Sequence, residues 1–172
     1  AERFNNRYGE TFVVPEPVIP KVGARIMSLQ DPSKKMSKSD HEGNKGVIYL
    51  KDDLKTARKK IMSAVTDSEN RIVYDPENQA GVANLLSIYA ALKEISLEEA
   101  VDYFQGHGYG SFKKEIADVV CEELEKIQKR YHEVIDSGML DEILDRGAEK
   151  VRANAQKTLE DVETKMGMIW TK

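Results

Sequence analysis

A single cysteine, Cys121, and three scattered histidines, His41, His107 and His132, leave no internal disulfide and no zinc-ligand spacing, so no metal site is expected in this chain. No run approaches the roughly 20 consecutive apolar residues a membrane span requires, and no basic-then-apolar stretch opens the sequence. An excess of one charge is missing too. Against 26 Lys and Arg stand 30 Asp and Glu, a formal net charge of -4 with a sequence pI of about 5.5. No overall field therefore drives the chain onto nucleic acid or anionic membrane, and any polyanion contact must come from a local basic patch. These absences together point to a soluble chain of the reducing cytoplasm.

What is present suffices for a core. Of 172 residues, 40% are hydrophobic and 33% charged, which fits one ordinary domain or a small domain carrying a piece of a larger one. The chain opens "AERFNNRYGETF", with no initiator methionine and with Phe4 and Tyr8 four apart, as though a helix were entered midway. The expectation is a fragment.

Pro15, Pro17 and Pro20 hold residues 13–20 extended. "ARIMSL" (24–29) is a short strand candidate, and "GVIYL" (46–50) a second extended piece. Asp52 or Asp53 can then cap a helix carrying Leu54, Ala57, Ile61 and Val65 on one side, with Lys55, Arg58, Lys59 and Lys60 over the rest. A polar connection (66–81) contains Pro76. Val82, Leu85, Leu86, Tyr89 and Leu92 form the stripe of a further helix, and Ser96 with Glu99 a capping box before Leu97, Ala100, Val101 and Phe104. "GHGYG" (106–110) should end that short helix. Residues 112–136 hold the longest stripe, Phe112, Ile116, Val119, Val120, Leu124, Ile127, Tyr131 and Val134, closed by Ser137 and Gly138. A last helix runs from Met139 to about Met166, with Leu140, Ile143, Leu144, Val151, Ala155, Leu159 and Val162 inward, Gly147 as a break and Gly167 as the stop. The expected fold is mainly α: a partly extended segment to about residue 50, then a bundle of five or so helices over 51–172.

The loop "DPSKKMSKSDHEGN" (31–44) sets one methionine among three lysines and three serines. Lys34, Lys35 and Lys38 can bring ammonium groups together, and Ser33, Ser37 and Ser39 add hydroxyl and backbone donors. Such a cluster repels itself in water and becomes favourable around a polyphosphate, through charge-assisted hydrogen bonds. Met36 is then suited to lie against a flat ring, since a thioether packs well on aromatic faces. Phosphates plus a base mean a nucleotide. On composition alone, a solvated Lys/Ser turn or a phosphorylation site competes with this reading.

The wording "KMSKS" at Lys35–Ser39 resembles the second nucleotide signature of class I aminoacyl-tRNA synthetases. "AERFNNRYGETF", "PKVGARIMSL", "SAVTDS", "NLLSIY" and "GAEKV" resemble, in order, landmarks of the bacterial tryptophanyl branch of that family, over essentially the whole chain. The resemblance implies a nucleotide-binding, Rossmann-like fold whose last strand and KMSKS loop occupy 1–50, and an α-helical tRNA-recognition domain over 51–172. It implies ATP with Mg2+ as substrate, and tryptophan and tRNA as further substrates. A homodimer is expected for the complete enzyme, and no membrane partner. By position, Lys35 and Lys38 would be catalytic, holding the ATP phosphates, with Lys38 stabilising charge on the leaving pyrophosphate. Met36 and the backbone near Ile26 would meet adenine, and Ser37 and Ser39 would support the loop and donate to phosphate. Gly43 and Gly46 flank a loop expected to close on ATP.

No window resembles the first, His-Ile-Gly-His signature of the family, so the chain is expected to be the C-terminal half and inactive alone. Two readings stay beside this one: a tyrosyl relative, and a non-catalytic helical RNA-binding or adaptor protein derived from a synthetase. For tRNA, one basic face is Lys55, Arg58, Lys59 and Lys60 and another Lys126, Lys129 and Arg130, both interleaved with acids and so favouring a merely solvated face. Tyr89, Phe104 and Phe112 have the stacking chemistry for bases but the spacing of core residues. His107 and Tyr109 are the best exposed recognition candidates, though a helix-capping turn explains them equally. Trp170 is an isolated tail residue with no role. Residues 1–45 are expected to be mobile, because a lone strand exposes unpaired backbone groups.

Overall fold

The computed structural model describes residues 1–19, 23, 25–41 and 43–168, and over these the regular structure is helical. The helices are α1 (Glu2–Tyr8), α2 (Leu54–Met62), α3 (Ala80–Lys93), α4 (Leu97–Tyr103), α5 (Tyr109–Asp136) and α6 (Met139–Met166). Two compact units divide the chain, one of Ile19–Tyr131 and one of Ala1–Val18 with His132–Lys172. Pro20 and Trp170, singled out above, lie outside the described residues.

Local chemistry sets the helix ends. The Asp53 carboxylate accepts from Thr56 N–H at 2.9 Å and Thr56 Oγ1–H at 2.7 Å, satisfying donors that the first turn of α2 leaves open. At α4 the Ser96–Glu99 capping box is closed in both directions, at 3.1 and 2.8 Å. Glu94 ends α3 in the left-handed region, φ 56°, and lets Ile95 N–H return to the Ala90 carbonyl. Gly167 ends α6 at φ 76°, as the sequence suggested. Gly147 does not break α6, which continues through it. "GHGYG" is shorter as a break than expected: Asn70 Oδ1 accepts from Tyr109 N–H at 3.1 Å, and α5 starts there.

The core of the unit Ile19–Tyr131 gathers Ala57 and Ile61 of α2, Val82, Leu85, Leu86, Tyr89 and Ala90 of α3, Ala100 of α4, Phe104, and Phe112, Ile116 and Leu124 of α5. Phe104 is its centre, edge-on to Tyr89 at 4.7 Å and to Phe112 at 4.8 Å. Tyr89, Phe104 and Phe112 are thus core residues and not a stacking platform. The stripes stop earlier than the spacing implied. Val65 lies past the end of α2, and Val65, Leu92, Ile127 and Tyr131 are exposed, because periodicity persists along a helix beyond the point where its neighbour ends.

In the unit Ala1–Val18 with His132–Lys172, Phe4 packs on Tyr8 at 4.8 Å and on Phe12 at 5.0 Å. Phe12, Val151, Ala155, Leu159 and Val162 line one concavity, and Lys165 donates to Thr11 Oγ1 at 3.0 Å. The inward positions assigned to α6 are corrected here. Leu140, Ile143, Leu144, Val151, Ala155 and Leu159 are exposed and Val162 half-buried, since within this unit little besides α1 and residues 9–12 is there to cover 28 helical residues.

Two tyrosines report on this packing. Burial, with Tyr103 and Glu115 nearby, pushes the Tyr89 hydroxyl up to about 12 from 10.0. Burial, then the Asp67 carboxylate that accepts its hydrogen, pushes Tyr109 up to about 12 from 10.0. Folding favours the neutral phenol in each. That stabilisation is complete below pH about 10 and is lost as pH rises through about 12. In an alkaline titration followed at 295 nm (absorbance) and 222 nm (circular dichroism), Tyr89 and Tyr109 are expected to ionise near pH 12, together with loss of helix. Tyr109→Phe should remove one tyrosine's worth of the late absorbance; an unchanged late amplitude counts against the burial argument.

Candidate functional site

The segment Ile26–Leu29 fixes the base of the loop, and it does so without a sheet. Of the strand expected over 24–29, Ala24 lies outside the described residues, and over 25–29 it is reduced to one isolated antiparallel bridge, Met27 to Lys35. Its unpaired edge is corrected as well, because other groups take the place of strand neighbours. Met27 N–H donates to Asn84 Oδ1 and Met27 C=O accepts from Asn84 Nδ2, each at 2.8 Å. Ser28 N–H reaches the Lys34 carbonyl at 2.8 Å, Leu29 N–H the Gly46 carbonyl at 3.0 Å, and the Leu29 carbonyl accepts from Val65 N–H at 2.8 Å. Buried backbone groups need partners, and α3 supplies two with one amide side chain. Leu29 is buried in the core and anchors the segment.

From this base the loop folds back. Met36 N–H donates to the Ile26 carbonyl at 3.0 Å, so the two positions expected near adenine are adjacent. Met36 is half-buried against the edge of the core, which holds it in place instead of leaving it a free lid. Ser37 supports the turn: its Oγ accepts from Ser39 N–H at 3.3 Å and its carbonyl from Asp40 N–H at 3.3 Å. Gly46 packs close to Ser28, and a Cβ there would stand 2.2 Å from Ser28 Oγ, so that hydroxyl would have to rotate away.

The three lysines are not equivalent. Lys34 pairs with Asp31 at 2.8 Å, and this hydrogen bond, helped by the Ser33 hydroxyl, holds the Asp31 carboxyl at about 2. That removes Lys34 from the free cationic cluster. Lys35 and Lys38 are exposed, and among the described residues neither is ion-paired. Two ammonium groups therefore remain on a turn with backbone N–H groups between them, an arrangement suited to a dense anion such as a phosphate chain.

The basic face read on α2 comes apart. Lys60 is buried, its Nζ 2.6 Å from Asp52 Oδ2 and 2.8 Å from the Val47 carbonyl, and Arg58 pairs with Asp118 at 2.6 Å. Lys126 is 2.8 Å from Glu122. His107 is exposed, stacked on Tyr103 at 6.1 Å, whereas the Tyr109 hydroxyl is tied to Asp67. Sequence reasoning missed Asn84 and Lys60. The signal for Lys60 was its phase, three after Ala57 and four before Ala64, and for Asn84 a lone amide among the apolar residues of α3.

Residues 1–125 match the family model of tRNA synthetases class I (W and Y). The chain is 54% identical over 168 residues to the tryptophan–tRNA ligase of Halalkalibacterium halodurans and 52% identical to that of Bacillus subtilis, in each case over 98% of this chain and 51% of the relative. It thus spans about half the length of these relatives. The fold is similar to the crystal structure of tryptophanyl-tRNA synthetase from Mycoplasma pneumoniae, with a TM-score of 0.86 at 30% identity, over 96% of this chain and 50% of that one. No described helix is long and apolar enough to cross a membrane. A Lys-Met-Ser-Lys-Ser turn pinned beside an extended segment and followed by helices thus agrees with a match over most of the sequence, and the chain belongs to the class I tRNA synthetases of the W and Y group.

Proposed function

We propose that this chain carries the KMSKS side of an ATP site in an enzyme that joins tryptophan to its tRNA. Tryptophan and MgATP give tryptophanyl-adenylate and pyrophosphate, and the tryptophanyl group then passes to the 3′ end of tRNA. Lys35 and Lys38 hold the phosphates, and Lys38 meets the charge that grows on pyrophosphate as it leaves. Met36 and the Ile26 backbone border the adenine, while Ser37 and Ser39 hold the turn and offer donors to phosphate. Residues 1–50 serve the nucleotide and 51–172 the tRNA, as a functional division. The complete enzyme works as a homodimer in the cytoplasm.

The observation that carries this reading is the sorting of the lysines: Lys34 is paired with Asp31, whereas Lys35 and Lys38 are exposed on a turn anchored at Met36. The relatives' names support tryptophan as the amino acid. The test is limited trypsin cleavage after Lys35, with and without MgATP, in the parent chain and in Lys38→Ala. MgATP is expected to slow cleavage in the parent, and the variant to need about tenfold more nucleotide for half protection, the worth of one charge-assisted hydrogen bond. Equal cutting with and without MgATP in both proteins removes the nucleotide from this loop.

A further inference from the structure

Among the described residues Lys60 is the one buried lysine, and the loop reading above makes no use of it. A buried ammonium is tolerated only when its three hydrogens are met, and here each side is occupied. Nζ donates to Asp52 Oδ2 at 2.6 Å and to the Val47 carbonyl at 2.8 Å, and lies over the Tyr49 ring at 4.8 Å from its centre. Asp52 Oδ2 also accepts from Tyr49 N–H at 2.9 Å. From α5, Gln128 Nε2 donates to the Leu50 and Asp52 carbonyls at 2.9 and 2.8 Å. Tyr49 is thereby held at its N–H and at its ring face, and Gln128 holds the residues that follow it. Its hydroxyl sits 3.1 Å from the Asp40 carbonyl and 3.0 Å from that of His41.

Those two carbonyls follow directly on Ser39. On the other side the chain is anchored at Met36, through its N–H to Ile26. Between the anchors lie only Ser37, Lys38 and Ser39. We infer that Lys60, Asp52 and Tyr49 form a clasp that closes the Lys38 turn, making Tyr49 and Lys60 positioning residues for the phosphate-binding lysine though neither touches the ligand. The inference rests on the reading of this loop as the phosphate site. Without the Tyr49 hydroxyl, the next downstream tie to the body of the fold among the described residues is Gly46, whose carbonyl accepts from Leu29 N–H. The span between ties to the body of the fold then grows from residues 37–39 to at most 37–45, since Asn44 still braces it from within through Asp40 Oδ2 at 2.9 Å, the His41 carbonyl at 3.2 Å and Gly46 N–H at 2.7 Å. Loop-closure entropy scales with the three-halves power of length, so a span up to threefold longer lowers the population of the closed turn by up to about fivefold.

Tyr49→Phe tests this directly, because it keeps the ring over Lys60 and removes only the hydroxyl. With the 172-residue chain, trypsin cleavage after Lys35 and Lys38 is compared with cleavage after the α5 residues Lys126 and Lys129, which report general loosening. The clasp predicts loop cleavage faster without nucleotide by up to about fivefold, unchanged cleavage in α5, and a matching rise, up to about fivefold, in the MgATP needed for half protection. Unchanged loop cleavage overturns it, and so does equal acceleration at all four sites. Selective acceleration in the variant with no MgATP protection in either protein supports the clasp and overturns the nucleotide reading, so the two failures are distinct. Lys60→Met, checked for helix content, should show the same loop selectivity if it folds.

Discussion

Phe104→Ala is expected to lower the free energy of unfolding by about 3–5 kcal/mol, the range for truncating a fully buried phenylalanine. The ring has no exposed surface and meets four others nearly edge-on: Tyr89 at 4.7 Å, Phe112 at 4.8 Å, Tyr103 at 5.0 Å and His107 at 5.5 Å. Each aromatic pair adds about 0.5–1.5 kcal/mol beyond area alone, and the neighbours come from α3, α4, α5 and the turn between the last two, so the void cannot be filled by moving one element. Against a typical total of about 5–15 kcal/mol, this loss takes the unit close to its limit. Urea unfolding followed at 222 nm should show a lower midpoint with the same slope. A loss under about 1 kcal/mol would mean that the ring cluster relaxes freely, contrary to close packing.

Gly81→Ala should also destabilise, although in a helix interior alanine is ordinarily favoured over glycine by about 1 kcal/mol. The reason is a close approach. A Cβ at Gly81 would stand 2.0 Å from the Val65 carbonyl oxygen and 3.0 Å from its carbon, and backbone cannot swing aside as a side chain can. Val65 in turn donates its N–H to Leu29, so pushing it away strains the segment under the loop. The expected cost is about 1–3 kcal/mol or more, as for overpacking, with the sign opposite to propensity. Thermal unfolding decides between them: a raised melting temperature would show that α3 can withdraw from Val65, whereas a fall of several degrees follows from the contact.

The helices were legible largely because their ends are written in local chemistry. Asp53, Ser96 with Glu99, and Gly167 each act within a few residues of themselves, and their effects could be read in order along the chain. Burial was legible only where a stripe meets a neighbour. Nothing in the spacing of Leu92, Ile127 or the apolar residues of α6 says that cover runs out there, because cover is supplied by residues distant in sequence. Lys60 was read by its charge when its phase decided its place. The loop itself was legible twice over, from its lysines and from the KMSKS wording. The sorting of Lys34 from Lys35 and Lys38 was not, since it depends on Asp31 turning back in space.

The amide of Asn84 sets a phase. One donor and one acceptor on a helix meet the donor and acceptor of a single residue, Met27, and such a two-point match indexes the chain to the nearest residue. A slip of one position would turn Leu29 out of the core and bring Ser28 or Gln30 in, because neighbouring side chains of an extended segment point to opposite sides. The bonds from Ile26 to Met36 and from Ser28 to Lys34 carry that index across the turn. The two free lysines thus inherit their facing from an uncharged side chain nearly fifty residues downstream, as a printed line inherits its position from a single registration mark.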